Sequence, residues 1–164
     1  MSFAGMRSDR RASVEVRRMG AEDIDKVLAL AAGLKDAPQW PQAAYTAALD
    51  LASTPRRMGL VAVEAASGEL VGFAMASLLP PQAELESVAV SEGAQRSGIG
   101  SRLLAQLAAE LKATGVEEFL LEVRASNRAA LGLYDSLGWR QVGVRPRYYV
   151  QPEEDAVLMS LALT

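Results

Sequence analysis

Between Val88 and Ser101 the chain reads Val-Ala-Val-Ser-Glu-Gly-Ala-Gln-Arg-Ser-Gly-Ile-Gly-Ser: an apolar strand, a turn of small residues and the start of a helix. Glycines at the mouth of a helix let a polyanion approach the backbone, where orphan N–H groups and the helix dipole hold it. Arg96 adds a guanidinium suited to a charge-assisted bond with phosphate. The stretch is not a P-loop, because no Gly-Lys-Ser/Thr follows. Nor is it a dinucleotide fingerprint, because Leu103 stands where the third glycine belongs. On these residues alone two readings stand: a seat for a phosphorylated cofactor, or a strand-to-helix turn that uses glycine only for shape.

Two absences narrow the chemistry. The chain contains no Cys and no His, which removes thiolate nucleophiles, disulfides, Ser-His-Asp triads, and CxxC and HExxH metal sites together. No metal site is expected, and proton transfer falls to Asp, Glu, Tyr, Lys or ordered water. The net charge of −3 gives no basic footprint for nucleic acid.

The elements that must position this turn follow from periodicity. The 164 residues suffice for one domain with a real core. Val14 to Arg18 alternates as a short strand, and helices are predicted over Ala21–Leu34 and Gln42–Ala52. Gly59–Ala65 and Leu70–Leu79 are apolar runs joined by Ala66-Ser67-Gly68-Glu69, a hairpin pattern. Pro80-Pro81 ends the second run and Glu84–Val90 supplies the next strand. Ile99–Ala113 places Leu103, Leu104, Leu107, Ala108 and Leu111 on one helical face, with Gly115 as its stop. In Glu117–Arg124 the residues Phe119, Leu121 and Val123 alternate with Glu118, Leu120, Glu122 and Arg124. Ser126 is the predicted N-cap of a helix running to Leu137, stopped by Gly138. Trp139–Arg145 and Ala156–Leu163 read as final strands around a polar loop. This order predicts an α+β fold with a central, mostly antiparallel sheet flanked by about four helices.

No linker or repeat divides the chain. Residues 1–13 are expected to be a disordered tail and 14–164 a single domain. Arg7, Arg10 and Arg11 precede no apolar run, so Met1–Ala12 is not a secretory signal. No apolar stretch approaches the roughly 20 residues of a membrane span. A cytoplasmic location is expected.

Gln95-Arg96-Ser97-Gly98-Ile99-Gly100 resembles the Q/R-x-x-G-x-G/A cofactor loop of the GNAT superfamily of acetyltransferases. The likeness continues through Leu121-Glu122-Val123-Arg124-Ala125-Ser126-Asn127, Leu133-Tyr134-Asp135-Ser136-Leu137-Gly138-Trp139 and Arg147-Tyr148-Tyr149. Those motifs, in that order, resemble the RimI-type branch, the ribosomal-protein-alanine N-acetyltransferases. Ser97 departs from the branch, which usually carries a second Arg there. The resemblance implies acetyl-CoA as donor, with its pantetheine along Val88, Ala89 and Val90 and its pyrophosphate on the N–H groups of Arg96, Ser97, Gly98, Ile99, Gly100 and Ser101. It implies an acceptor peptide N-terminus, possibly on a ribosomal protein, and a monomer or weak dimer with no membrane or direct nucleic-acid partner. A small-molecule amine acceptor and a non-catalytic acyl-CoA-binding domain are the alternatives.

Within that frame Glu122 is the candidate base, with Glu84 on the cofactor strand as runner-up. In isolation Glu122 would be a solvated strand carboxylate beside Arg124. Tyr134 is the candidate acid for the departing thiolate, or else a core aromatic. Asn127 and Tyr134 are seven residues apart and would share a helix face within about 20°, placing Asn127 to bond the pantetheine. Trp40-Pro41 and Tyr148-Tyr149 are expected in loops that flank the acceptor, although two adjacent tyrosines also cap a sheet. Glu153, Glu154 and Asp155 make a nearby loop acidic, which suits a basic peptide and also describes any solvated loop.

Overall fold

The hydrophobic alternation that predicts strands builds one seven-stranded sheet in the computed structural model, which describes residues 13–34, 40–50, 52 and 55–163. Its strands are β1 (Val14–Arg18), β2 (Arg56–Glu64), β3 (Leu70–Leu79), β4 (Gln82–Val90), β5 (Glu118–Arg124), β6 (Arg140–Val150) and β7 (Glu153–Ala162). They lie in the order β1-β2-β3-β4-β5-β7-β6. Every neighbouring pair is antiparallel except β4–β5. The described α-helices are α1 (Ile24–Ala32), α2 (Gln42–Ala48), α3 (Ile99–Ala113) and α4 (Arg128–Ser136). None of them is long and apolar enough to cross a membrane.

Two cores sit on opposite faces of the sheet. On one, Leu103, Leu104, Leu107 and Leu111 of α3 meet Leu60, Ala74, Phe119 and Trp139. On the other, Val27 of α1 and Tyr45 of α2 cover Val61, Phe73, Met75 and Ala89. Gly72 lets α3 lie close, because a Cβ there would stand 3.1 Å from both Leu103 Cδ1 and the Ala89 carbonyl.

β4 serves both cores through a bulge. Met75 pairs with Ser87 and Ala76 with Leu85, leaving Glu86 as the extra residue. Ala83 and Leu85 lie in the α3-side core, and beyond the bulge that role passes to Val88 and Val90, while Ala89 joins the opposite core. Parallel pairing with β5 covers only Gln82–Glu118, Ala83–Phe119 and Glu84–Leu120. Past that point the two strands part.

Several boundaries differ from the sequence reading, for local reasons. Residues 21–23 form a 3-10 turn before α1. There the Asp23 carboxylate accepts from the Gly20 N–H at 2.8 Å and from both terminal nitrogens of Arg17 at 2.8 and 2.9 Å. That guanidinium holds buried Asp23 below the usual carboxylate range. Its stabilising contribution is therefore complete above the unfolded pKa and is lost as pH falls through the depressed folded value. α2 stops at Ala48 because Asp50 turns the chain, accepting from the Ala52 N–H at 2.9 Å. The expected tail over 1–13 lies outside the described residues except for Ser13, whose carbonyl accepts from Ala65. The expected loop at Tyr148-Tyr149 is instead part of β6, and Glu153, Glu154 and Asp155 belong to β7. Three residues, Pro146 to Tyr148, bulge opposite Asp155 between the Arg145–Ala156 and Tyr149–Glu154 pairs.

Candidate active site

The turn after β4 is built to present backbone donors. Arg96 (φ 64°) and Gly98 (φ 85°) both take the left-handed conformation, two residues apart, which is the geometry of an anion-binding nest. The Gln95 side chain donates to the Val90 carbonyl at 3.0 Å and the Ser97 hydroxyl donates to the Ala94 carbonyl. So Ser97, where a second arginine was expected, closes the turn from within. Among the described residues no backbone acceptor takes the N–H groups of Gly98, Ile99, Gly100 or Ser101. A Cβ on Gly100 would meet nothing nearer than Leu133 Cδ2 and Val90 Cγ2, each at 3.8 Å. The protein's own packing therefore does not demand that glycine.

Beside this turn, Val88, Ala89 and Val90 are paired with β3 on one edge only. An unpaired strand edge hydrogen-bonds an extended ligand as an added strand would. Open edge and free N–H groups adjoin, which fits a long ligand with an amide-bearing arm and a phosphorylated end.

Across the split stands Glu122, on the face of β5 opposite Phe119, Leu121 and Val123. Its expected neighbour Arg124 turns away to Glu154 at 3.4 Å and stacks 4.2 Å from the Tyr149 ring centroid. Glu122 instead pairs with Arg145 at 3.3 Å and accepts a hydrogen bond from the Tyr148 hydroxyl, whose pKa it raises, by its charge first. Glu84, on β4, is held above the usual carboxylate range, first by loss of water around it and then by the charges of Glu122 and Glu86. Glu86 is itself neutralised by Arg57 at 2.7 Å.

Tyr134 is 6% exposed, in the α3-side core, with its ring 5.7 Å from that of Trp139. Burial, and secondarily Tyr149, push its hydroxyl up to about 12. The helix face it was to share with Asn127 does not exist, because Asn127 is the N-cap of α4 rather than a residue within it. Its Oδ1 accepts from the Ala130 N–H at 3.2 Å, leaving Nδ2 for a ligand. Ser126, the expected cap, is drawn off to Glu154 through its N–H. Replacing Asn127 by Ala is expected to cost about 1 kcal/mol of stability through the lost cap, measurable by urea unfolding.

Trp40 stacks on Tyr45 at 5.2 Å and lies under the Arg57 guanidinium at 5.7 Å. It is thus tied to Glu86 on β4, whereas Tyr148 is tied to Glu122 on β5, so these aromatics flank the split from opposite sides. The acidic segment is not free: Glu153 pairs with Arg147 at 3.2 Å, Glu154 with Arg124, and Asp155 accepts from the Arg147 N–H at 3.0 Å. Sequence reasoning missed Arg57 and Arg145. A Pro inside the run Arg145-Pro146-Arg147-Tyr148-Tyr149 was the available sign that a strand bulges there.

A strand ending in a donor-rich turn, a parted β4–β5 pair and a carboxylate facing the gap define an acyl-carrier transferase architecture. The chain belongs to the acetyltransferase (GNAT) family, whose model matches residues 22–139. It is 40% identical over 100 residues to the [ribosomal protein bS18]-alanine N-acetyltransferase of Escherichia coli (strain K12), spanning 60% of this chain and 68% of that one. The crystal structure of the Escherichia coli ribosomal-protein-S18-alanine N-acetyltransferase superposes with a TM-score of 0.80 at 29% identity, over 92% of this chain and 94% of that one. The NatC complex bound to Gag peptide and CoA shares the fold, with a TM-score of 0.80 at 21% identity over 93% and 99% of the two chains.

Proposed function

We propose that this protein transfers acetyl from acetyl-CoA to the α-amine of a protein N-terminus, with a ribosomal small-subunit protein as the acceptor. The observation that carries the reading is the parted β4–β5 pair, with free strand edge and N–H groups on one side and Glu122 on the other. The 40% identity to a ribosomal-protein-alanine enzyme supports the acceptor class. Acetyl-CoA supplies a thioester, whose carbonyl carbon the amine nitrogen attacks and whose sulfur departs as the C–S bond breaks. Val88, Ala89 and Val90 align the pantetheine, joined by Asn127 Nδ2. Arg96, Ser97, Gly98, Ile99, Gly100 and Ser101 seat the pyrophosphate. Glu122 takes the amine's proton, directly or through water. Trp40, Tyr148 and Tyr149 line the acceptor's approach.

The amine's acidity favours this acceptor. An α-amine of pKa near 8 is roughly 10% neutral at pH 7, whereas a lysine amine near 10.4 is neutral less than ~0.1% of the time. Tyr134 faces the leaving group as a donor that stays protonated. Handing its proton to a thiolate of pKa near 8.5 would be uphill by about 5 kcal/mol, so its work is a hydrogen bond to the departing sulfur. Tyr134→Phe keeps the ring against Trp139 and is expected to lower kcat about 10- to 10³-fold, with acetyl-CoA affinity nearly unchanged. If only the ring matters, the Phe variant keeps full kcat and Tyr134→Ala alone suffers, through lost packing. The functional reading is tested by assaying acetyl transfer to peptides with different first residues beside lysine and polyamine controls. Preferred transfer to the controls would transfer the assignment to a small-molecule amine.

A further inference from the structure

Arg145 occupies an unusual place for a residue of an edge strand. Its guanidinium lies 3.3 Å from Glu122 Oε1 and 5.5 Å from the Tyr148 ring centroid. The same positive charge acts on Glu84, opposing the factors that raise that carboxyl's pKa. One cation thus serves two carboxylates, carried on the neighbouring strands β4 and β5 at the point where those strands part. Arg145 is the last residue before the Pro146–Tyr148 bulge, and its side chain is 56% exposed. An ion pair so exposed is weak and exchanges readily.

An acceptor amine reaches this split mostly as an ammonium, and it must approach Glu122 to lose its proton. The seat it needs is the one the guanidinium fills. We propose that Arg145 is a displaceable counter-ion, a positioning residue that keeps Glu122 and Glu84 neutralised in the free enzyme and yields that seat to the acceptor's ammonium. This rests on the reading of Glu122 as the carboxylate that faces the acceptor. Arg57 does not fill the role, because it is held bidentately by Glu86, at 2.7 and 3.3 Å. The remaining charged and titratable groups around the pair are Glu86 from β4, Arg124 from β5, Tyr148 and Tyr149 from β6, and Glu154 from β7.

Two consequences follow. Removing the guanidinium removes a competitor, so the acceptor binds more tightly. It also removes a positive charge that favours the ionised carboxylates, so they protonate at higher pH and activity is lost earlier on acidification. The test is steady-state kinetics with an alanine-initiated peptide as a function of pH, for the wild type, Arg145→Gln and Arg145→Lys, with calorimetric acetyl-CoA affinity as control. Arg145→Gln should lower the acceptor KM about 2- to 5-fold, the scale of an exposed ion pair, and move the acidic limb of kcat/KM to higher pH. Arg145→Lys should keep both near wild type, and acetyl-CoA affinity should hold throughout. An unchanged or raised KM with the limb in place would overturn the counter-ion role while leaving the functional reading intact. Absence of peptide transfer by the wild type would sink the functional reading itself, and this role with it.

Discussion

Gly100→Asp is expected to leave a folded protein that has lost acetyl-CoA affinity by about 10²-fold or more. The added carboxylate would project beside free N–H groups proposed to hold phosphate. A like charge about 4 Å away costs on the order of 4 kcal/mol near a protein surface. Folding should survive, because Leu133 and Val90 leave ordinary contact distance for a Cβ. Gly100→Ala is the control: it adds the same Cβ without charge and replaces a glycine in a helix, which favours α3 by up to ~1 kcal/mol. Gly98→Asp is less clean, since φ of 85° adds backbone strain of about 1–2 kcal/mol for a side-chain-bearing residue. Calorimetry with acetyl-CoA on the folded variants decides the matter. Affinity retained within a few fold would remove this turn from cofactor binding.

Glu122→Gln should lower kcat by about 10²- to 10⁴-fold with acetyl-CoA affinity nearly unchanged. The loss should shrink as pH rises through the range near 8 where an α-amine deprotonates unaided. Glu84→Gln is the necessary companion. Its carboxyl binds a proton more readily than an ordinary carboxylate, through desolvation first and the charges of Glu122 and Glu86 after it, and that brings it closer to the range useful for a base. Because the shift is upward, Glu84 becomes fully ionised only at a higher pH than an unperturbed glutamate. If Glu84→Gln shows the large, pH-rescued loss and Glu122→Gln does not, the base belongs to β4 and Glu122 serves to anchor Tyr148 and Arg145.

Periodic features were legible in the residues, while features that depend on a single inserted residue or on distant partners were not. β1, β3 and α3 fall where the spacing put them, since each buries one uninterrupted apolar pattern in a core. The pairing of small residues with a helix start also located the turn at Arg96–Ser101. By contrast, the cap of α4 moved from Ser126 to Asn127 because Glu154, 28 residues away, claims Ser126. Arg124 and Glu122 share a strand face, yet each finds its partner on another strand, in Glu154 and Arg145. Local spacing cannot rank such competitors, because the winner is set by how β5, β6 and β7 lie in register. The left-handed conformation of Arg96 was equally hidden, as nothing in an arginine's type announces it.

The extra residue at Glu86 has a bearing on how this chain can vary. Side chains alternate along a strand, so removing any one residue between Leu85 and Val88 would reverse the parity of everything that follows on β4. Val88 and Val90 would then face the side now held by Ala89, and the strand's exit into the turn at Ser91 would be rotated with them. Exchange of one amino acid for another at Glu86 leaves that count intact. Relatives that keep both cores are therefore free to change the letter written at this position, while a single-residue gap there would have to be matched by a compensating insertion before Ser91.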